Sequence, residues 1–480
     1  MESAVVHAHF YQPPRENPWR GDVEPEIDAA PFENWNARIA HECYTPFSAA
    51  RVLDDAGRIV DTVNLYEWVS YDVAPTLMVW LERHTPAVYQ LVLDADRASA
   101  ARLGGHGNAI ASPYNHIILP LTSRRDKVTE VRWGLADFRR RFGRDAEGFW
   151  LPETAVDEET LVVLAEEGVR FTILAPQQAE NTNLSGGPLR FAAGGSRELA
   201  VFAYDGSLAH DAAFARLLDD GHELARRLSP AESAGHSVGK YVRITSLAID
   251  GETFGHHRKF GEMALARATA VLRGQRHTLL ENYASVLSRV APAEALRLIE
   301  PSSWSCVHGV ERWRSGCSCG MTPRVSHAWR RPLRAALNWL ARELDGQFVE
   351  AAAQDLADPW AARDAYGAVA ALPDAPRDAF VMALVRRGGD PARARRLLDG
   401  MRARLAMFGS CAWFFDDATG HETTLMLRQA AFAIEALGAQ RFEDEFMGLL
   451  AFAQSSDPAR GDAATAYRTR VLPMRGAARP

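Results

Sequence analysis

The sequence predicts an α/β fold, with a barrel-type parallel sheet over about the first 290 residues and an all-α helical domain after it. Three observations carry this reading. Up to about residue 290, short β-favouring runs alternate with amphipathic segments, and so many β/α units favour a barrel over an open sheet. Beyond about residue 325 the apolar period becomes helical, with no strand between segments. A chain of 480 residues with 47% hydrophobic content is also long enough for two or three domains.

In chain order, the strand candidates are Val5 to Phe10, Ile59 to Val69, Gly148 to Leu151, Phe171 to Leu174, Leu199 to Tyr204 and Val242 to Ile249. The stretch "DEETLVVLAEEGVRFTIL" shows one unit completely. Acidic residues open a helix, Leu161, Leu164 and Ala165 fall at helical spacing, Gly168 stops it, and a β-branched strand follows. In "AWRRPLRAALNWLARELDGQF", Trp329, Leu333, Leu337, Leu340 and Leu344 share one helical face. Asp378 to Arg387, Ala392 to Phe408 and Thr424 to Leu437 repeat the pattern. The expected domains are 1–290, a Cys/His/Trp-rich connection over 291–324, a helical domain over 325–457, and a tail over 458–480 without sustained periodicity that is expected to be partly disordered.

Composition narrows the function classes. A formal net charge of −7 leaves no basic footprint for nucleic acid or an anionic membrane. No run is apolar enough for long enough to span a bilayer, and no basic region with a long apolar run follows Met1. Five cysteines, an odd number in a long chain, fit a reducing compartment better than a disulfide framework. A cytoplasmic protein is therefore expected.

The chemistry concentrates in a few stretches. In "SLAIDGETFGHH" a buried strand emerges at Asp250, Gly251 and Glu252, with His256 and His257 following. In "GFWLPET" the run Phe149 to Leu151 leads through Pro152 to Glu153. Loops at the carboxyl ends of parallel strands converge on one cleft, and paired carboxyls there are what glycosidic bond cleavage requires. Each acid has a plainer reading: Asp-Gly is a hairpin signal, and Glu153 would suit a helix N-terminus. In "HAHFYQPP", His7 and His9 alternate along the first strand and face the same side, open to metal ligation, ligand hydrogen bonding or core packing. "GGHGNAIASPYNHIILPL" adds His106 and His116, and aromatics including Tyr11, Trp35 and Trp150 lie near these stretches.

The ordered set "HAHFYQPP", "YNHIILPL", "GFWLPET" and "IDGETFGHH" resembles the motif series of glycoside hydrolase family 57, retaining enzymes acting mainly on α-glucans. "SSWSCVHGVERWRSGCSCG" and "FGSCAWFFDDATGHET" look like the C-terminal extension of one uncharacterised branch of that family. The resemblance implies a distorted (β/α)7 barrel followed by a helical domain that closes the cleft. It implies Glu153 as nucleophile and Asp250 as acid/base, a pair that a retaining mechanism sets about 5 to 5.5 Å apart. By the same resemblance His9, Gln12 and His116 contact sugar, and Trp413 and Asp416 are subsite residues from a fifth motif. Trp150, Glu252, His256, His257, Trp304 and Trp313 complete the expected substrate-binding set. The first motif departs from the usual contiguous His-Gln-Pro, because Phe10 and Tyr11 separate His9 from Gln12, so either His7 or His9 is the contact.

Cys306, His308, Cys317 and Cys319 fall within one short stretch whose composition suits a tetrahedral zinc site, although C-x-H and C-x-C are not the common knuckle spacing. The plainer reading is a buried reduced cluster, and the glycosidic chemistry itself requires no cofactor. The leading function is cleavage or transfer of α-glucan chains, as an amylase, 4-α-glucanotransferase or branching enzyme. The alternatives are a metal-dependent mannosidase or polysaccharide deacetylase, with a metal beside His7 or His9, and a non-catalytic glucan-binding protein.

Overall fold

The computed structural model describes residues 2–54, 56–181, 186–229, 243–322 and 325–475. Among the described residues eleven strands follow in chain order: β1 (Glu2–Phe10), β2 (Ala50–Leu53), β3 (Ile59–Val63), β4 (Ser70–Val73), β5 (Gly148–Phe149), β6 (Phe171–Leu174), β7 (Leu189–Ala192), β8 (Glu198–Ala203), β9 (Ile244–Asp250), β10 (Thr278–Leu280) and β11 (Glu294–Ala295). β1 is buried along its whole length, as a parallel strand covered on both faces must be. It pairs in parallel with β9 over Ser3 to His9, with β4 over its last four residues and with β10 over Glu2 to Ala4. A second sheet runs β11-β7-β8-β6-β5, parallel except for the β7–β8 pair.

The result is an α/β fold with two main sheets and a separate two-stranded one, β2-β3. Residues 109–111 lie between the two main sheets, bridging Tyr71 at Ala109 and Phe149 at Ala111. On the other flank the Asp205 N–H donates to the Ser246 carbonyl at 2.8 Å.

Two strand expectations are corrected. Of Ile59 to Val69, only β3 is extended, and it forms an antiparallel hairpin with β2 on the outside of the fold. The strand that joins the central sheet is β4, whose Ser70 and Asp72 interrupt the apolar pattern. The expected strand start at Val242 lies outside the described residues.

Helix ends follow local chemistry. Helix Arg124–Phe142 is capped by Ser123 and stops at Gly143 in the left-handed region, and helix Glu158–Glu166 is capped by Asp157. In helix Arg330–Ala352, Leu333, Leu337, Leu340 and Leu344 are fully buried on one face, with Trp329 buried just ahead of it. Helices Pro391–Ala406 and His421–Ala436 pack against each other. The helical region is keyed to the sheet region through buried Asp126, which accepts from Arg363 at 2.8 Å and from Arg404 at 2.7 Å.

Within the tail expected to be partly disordered, residues 458–475 are structured. Asp462 caps a short helix at Ala463–Ala466, and Tyr467 and Val471 are buried beside helix His421–Ala436. The last five residues lie outside the described ones. Among the described residues no helix is long and apolar enough to cross a membrane.

Candidate active site

Sheet register builds the floor of the site. His9 is the register partner of Asp72 on β4 and of Asp250 on β9, so three polar side chains stand in one row at the carboxyl ends of three neighbouring strands. Asp72 is fully buried. It accepts from His9 Nδ1 at 2.9 Å and from His7 Nε2 at 3.2 Å, while Ser70 Oγ lies 3.0 Å from His7 Nδ1. Burial alone would depress the His9 imidazole. The Asp72 carboxylate, with Asp250 and Glu252 further off, outweighs it and lifts the pKa to about 9. His116 moves the other way, held well below its ordinary value by burial and by the charge of His9. The 3.0 Å contact between the two Nε2 atoms is thus a charged His9 donating to a neutral His116, whose Nδ1 meets Ser410 Oγ at 2.8 Å.

This row has a consequence for titration. In Asp72→Asn, loss of the main counter-charge leaves burial dominant, so the His9 titration followed by imidazole NMR should fall from about 9 to below 6.5. In the wild type, the stability contributed by charged His9 is complete below pH 6.5 and is lost as pH rises through about 9.

Glu153 reaches the same cleft from β5. Residues Pro152–Thr154 form a single 3-10 turn in which Glu153 (φ 58°) and Thr154 (φ 48°) are both left-handed. Such a conformation costs a non-glycine residue on the order of 1–3 kcal/mol and persists only where its surroundings fix it. They do so here. Gln178 bonds both ways with Thr154, accepting from Oγ1 and donating to the carbonyl, each at 2.8 Å. The Trp304 N–H donates to the Glu153 carbonyl at 3.1 Å. Glu153 Oε2 accepts from Trp304 Nε1 at 3.0 Å and from Ser305 Oγ at 2.6 Å, a charge-assisted pair of bonds that aims the carboxylate. The helix-cap reading of Glu153 falls, because Asp157 caps the helix that follows.

The hairpin reading of Asp250-Gly251 falls as well, since Asp250 ends a buried parallel strand and a 3-10 turn follows. Gly251 is required by packing: a Cβ there would lie 2.2 Å from the Phe10 ring. Desolvation raises the Asp250 carboxyl to about 6; His9 opposes this, and the charges of Glu153 and Asp72 add to it. Glu252 is raised to about 7, mainly by burial, and accepts from Tyr44 Oη at 2.7 Å and from the Tyr11 N–H at 3.1 Å. His256 Nδ1 meets Glu42 Oε2 at 2.5 Å, and burial with the neighbouring His256 lowers His257 to about 4.

These groups face a cleft of about 590 Å³. Of the sequence-predicted residues, Glu153, Asp250, His9, Gln12, His116, Glu252, His256, His257 and Trp304 line it. Five others do not. His7 is fully buried behind His9 and stacks on Trp150 at 4.7 Å, so His9 is the histidine of the first motif that faces the cleft. Trp150 is itself buried beneath both imidazoles. Trp313 is core, its carbonyl accepting from Arg334 Nε at 2.7 Å. Trp413 turns inward, with the Arg334 guanidinium 3.9 Å over its ring. Asp416 ties down a loop, accepting from the Met321 and Thr322 N–H groups and from His327 Nε2. From that motif Ser410, Cys411, Phe414 and Phe415 line the cleft instead. Asp72, Ser305, Gln178 and Tyr44 were missed by the sequence. Only Asp72, an acid inside a short β-favouring run before Pro75, left a local signal.

A separate group lies next to Ser305: Cys306, His308, Cys317 and Cys319 have ligand atoms all within 4.8 Å of one another.

Comparison with known families fits this geometry. The profile of glycosyl hydrolase family 57 matches residues 67–298, a range that holds Glu153, Asp250 and Asp72. This chain carries a glycosyl hydrolase family 57 domain. A domain of unknown function (DUF3536) matches residues 326–478, the helical region. The family 57 fold recurs in solved structures. An exo-type maltose-forming amylase from Pyrococcus sp. ST04 superposes with a TM-score of 0.71 at 16% identity, over 93% of this chain and 80% of that one. A family 57 branching enzyme from Pyrococcus horikoshii gives 0.57 at 14% identity, over 94% and 90%. An α-amylase of Pyrococcus horikoshii is 23% identical over 190 residues, covering 39% of this chain and 28% of that protein. The match thus spans little more than a quarter of that relative's length.

Proposed function

We propose that this family 57 protein is a retaining glycoside hydrolase or transglycosylase acting on α-glucans. The observation that carries the reading is the contrast between two carboxyls in one cleft. Glu153 is gripped through one oxygen by two donors, while Asp250, desolvated and facing neighbouring negative charge, has a pKa raised to about 6. Such a divergence of environments separates a nucleophile from a general acid. A Glu153 oxygen attacks the anomeric carbon as the glycosidic C–O bond breaks, and Asp250 gives its proton to the departing oxygen. Asp250 then takes a proton from water or a sugar hydroxyl, whose oxygen displaces Glu153 and releases the sugar. The positive charge on His9 opposes the rise at Asp250, which keeps that carboxyl able to exchange its proton near neutrality.

The relatives include amylases, a branching enzyme and, from Thermococcus litoralis, a 4-α-glucanotransferase, which supports an α-glucan substrate. Trp304, Trp35, Phe414 and Phe415 give the cleft flat apolar surfaces suited to sugar faces. We read β1, β4, residues 109–111, β5, β6, β8 and β9 as the seven staves of a distorted barrel, with 1–290 as the catalytic part. The mannosidase or deacetylase reading needs ligand atoms at His7 or His9, whose nitrogens are engaged by Ser70, Asp72 and His116. A binding-only role leaves the strained Glu153 turn without a purpose.

The test is incubation of the wild type with maltoheptaose, amylose and glycogen, with products resolved by chromatography. A ladder of shorter or longer maltooligosaccharides is expected, and the yield of new reducing ends separates hydrolysis from transfer. No change in any of the three would remove the α-glucan reading.

A further inference from the structure

We infer that Cys306, His308, Cys317 and Cys319 form a structural zinc site that fixes the segment holding Glu153. Two edges of the group are close to those of a zinc tetrahedron. With Zn–S near 2.3 Å and Zn–N near 2.0–2.1 Å, a tetrahedral site has S···S edges of about 3.8 Å and S···N edges of about 3.6 Å. Cys306 Sγ and Cys317 Sγ are 3.9 Å apart, and Cys319 Sγ lies 3.5 Å from His308 Nδ1. All three cysteines are free thiols, and the whole set of ligand atoms spans no more than 4.8 Å, so closing around an ion requires only small movements.

The surroundings suit a charged metal–thiolate centre. Three thiolates and one neutral imidazole around a divalent ion leave a net charge of −1; Cys306 is buried, Cys317 and Cys319 are half-buried and His308 is exposed, so solvent and one neighbouring cation can balance it. Arg330, fully buried at the start of a long helix, supplies the opposite charge: Nη1 donates to the Cys319 carbonyl at 2.6 Å and lies 3.8 Å from Cys317 Sγ. Three thiolates with one imidazole select zinc over hard cations.

The segment also needs a staple. Between β11 and the helix that starts at Arg330, the described residues contain only one 3-10 turn, Glu311–Trp313, a length of irregular chain that rarely holds its shape unaided. Yet Trp304 and Ser305, next to the first ligand, make both bonds to Glu153 Oε2. Zinc would anchor this arm to the helical region through Arg330 and so preserve the aim of Glu153. The effect on activity rests on the function proposed above; metal binding does not.

The experiment uses the full chain, wild type and Cys317→Ser/Cys319→Ser, each purified without added metal. The readouts are elemental analysis, absorption after exchange with cobalt, thermal melting and maltoheptaose turnover. We expect about one zinc per wild-type chain, the visible bands and thiolate charge transfer of tetrahedral cobalt, and loss of at least nine-tenths of the metal in the double variant. Chelation of the wild type should lower the melting midpoint by about 5 °C or more. Wild-type protein free of metal with all these thiols freely titratable would overturn the proposal. So would full zinc retention by the double variant, or iron in place of zinc. Zinc bound as expected in a wild type inert on glucans would leave the metal site standing and count against the enzymatic reading alone.

Discussion

Glu153→Ala is expected to lose α-glucan turnover by about 10⁴-fold or more, because it removes the carboxylate that Trp304 and Ser305 hold at the end of β5 for attack on the anomeric carbon. The cavity left by the side chain makes the loss diagnostic. A small anion such as azide can occupy it and attack the anomeric carbon of an activated α-glycosyl substrate directly. Rescue should yield a β-glycosyl azide, opposite in configuration to the product of the wild type. The comparison variant is Glu153→Gln, which keeps the volume and leaves no room for azide. It should be equally inactive and should not be rescued. Rescue that gives the α-azide would mean that a different residue still forms the glycosyl-enzyme.

Asp250→Asn should lose activity as severely on glucans and far less on an aryl glycoside whose leaving group needs no proton. The wild type should show kcat/KM falling with pH above about 6, where Asp250 gives up the proton it must donate. The same variant carries a stability signature of opposite sign. The Asp250 carboxyl is raised from 3.8 to about 6 in the folded protein, so the unfolded chain ionises first and the folded state bears the cost of the buried charge. That cost is absent below about pH 3.8, grows through the interval and is complete above about 6. Asp250→Asn is therefore expected to be more stable than the wild type by roughly 1–3 kcal/mol at pH 7.5, with the gain vanishing near pH 4. A variant that is less stable at pH 7.5 would contradict the burial argument. One that is fully active on glycogen would remove Asp250 from the reaction.

What the sequence made legible was whatever local chemistry encodes. Asp157, Leu161, Leu164 and Gly168 announce a helix with both ends, and Trp329 to Leu344 announce a buried face. Asp250 and Glu153 were legible because each follows an apolar run that could end only at a strand's carboxyl side. β4 was not, since Ser70 and Asp72 break the apolar alternation, and their purpose appears only when His7 and His9 arrive from sixty residues away. Trp413 misses the cleft, while Phe414 and Phe415 line it, for a geometric reason. On a short helix one residue is about a 100° rotation, which sends the larger ring inward against Arg334. Gln178 and Ser305 act on the Glu153 turn from 24 and 152 residues away, and neither has any spacing that a linear reading could register.

The most direct test of the central claim is covalent trapping. A maltosyl fluoride bearing a 5-fluoro substituent slows the oxocarbenium-like second step while its fluoride speeds the first, so the glycosyl-enzyme accumulates. Mass spectrometry of the digested protein should find one maltosyl adduct, on Glu153 within "GFWLPET", in both wild type and Cys317→Ser/Cys319→Ser, at a lower rate in the latter. Turnover of the reagent without an adduct, or an adduct on any other carboxylate, would contradict the assignment of Glu153 as the nucleophile.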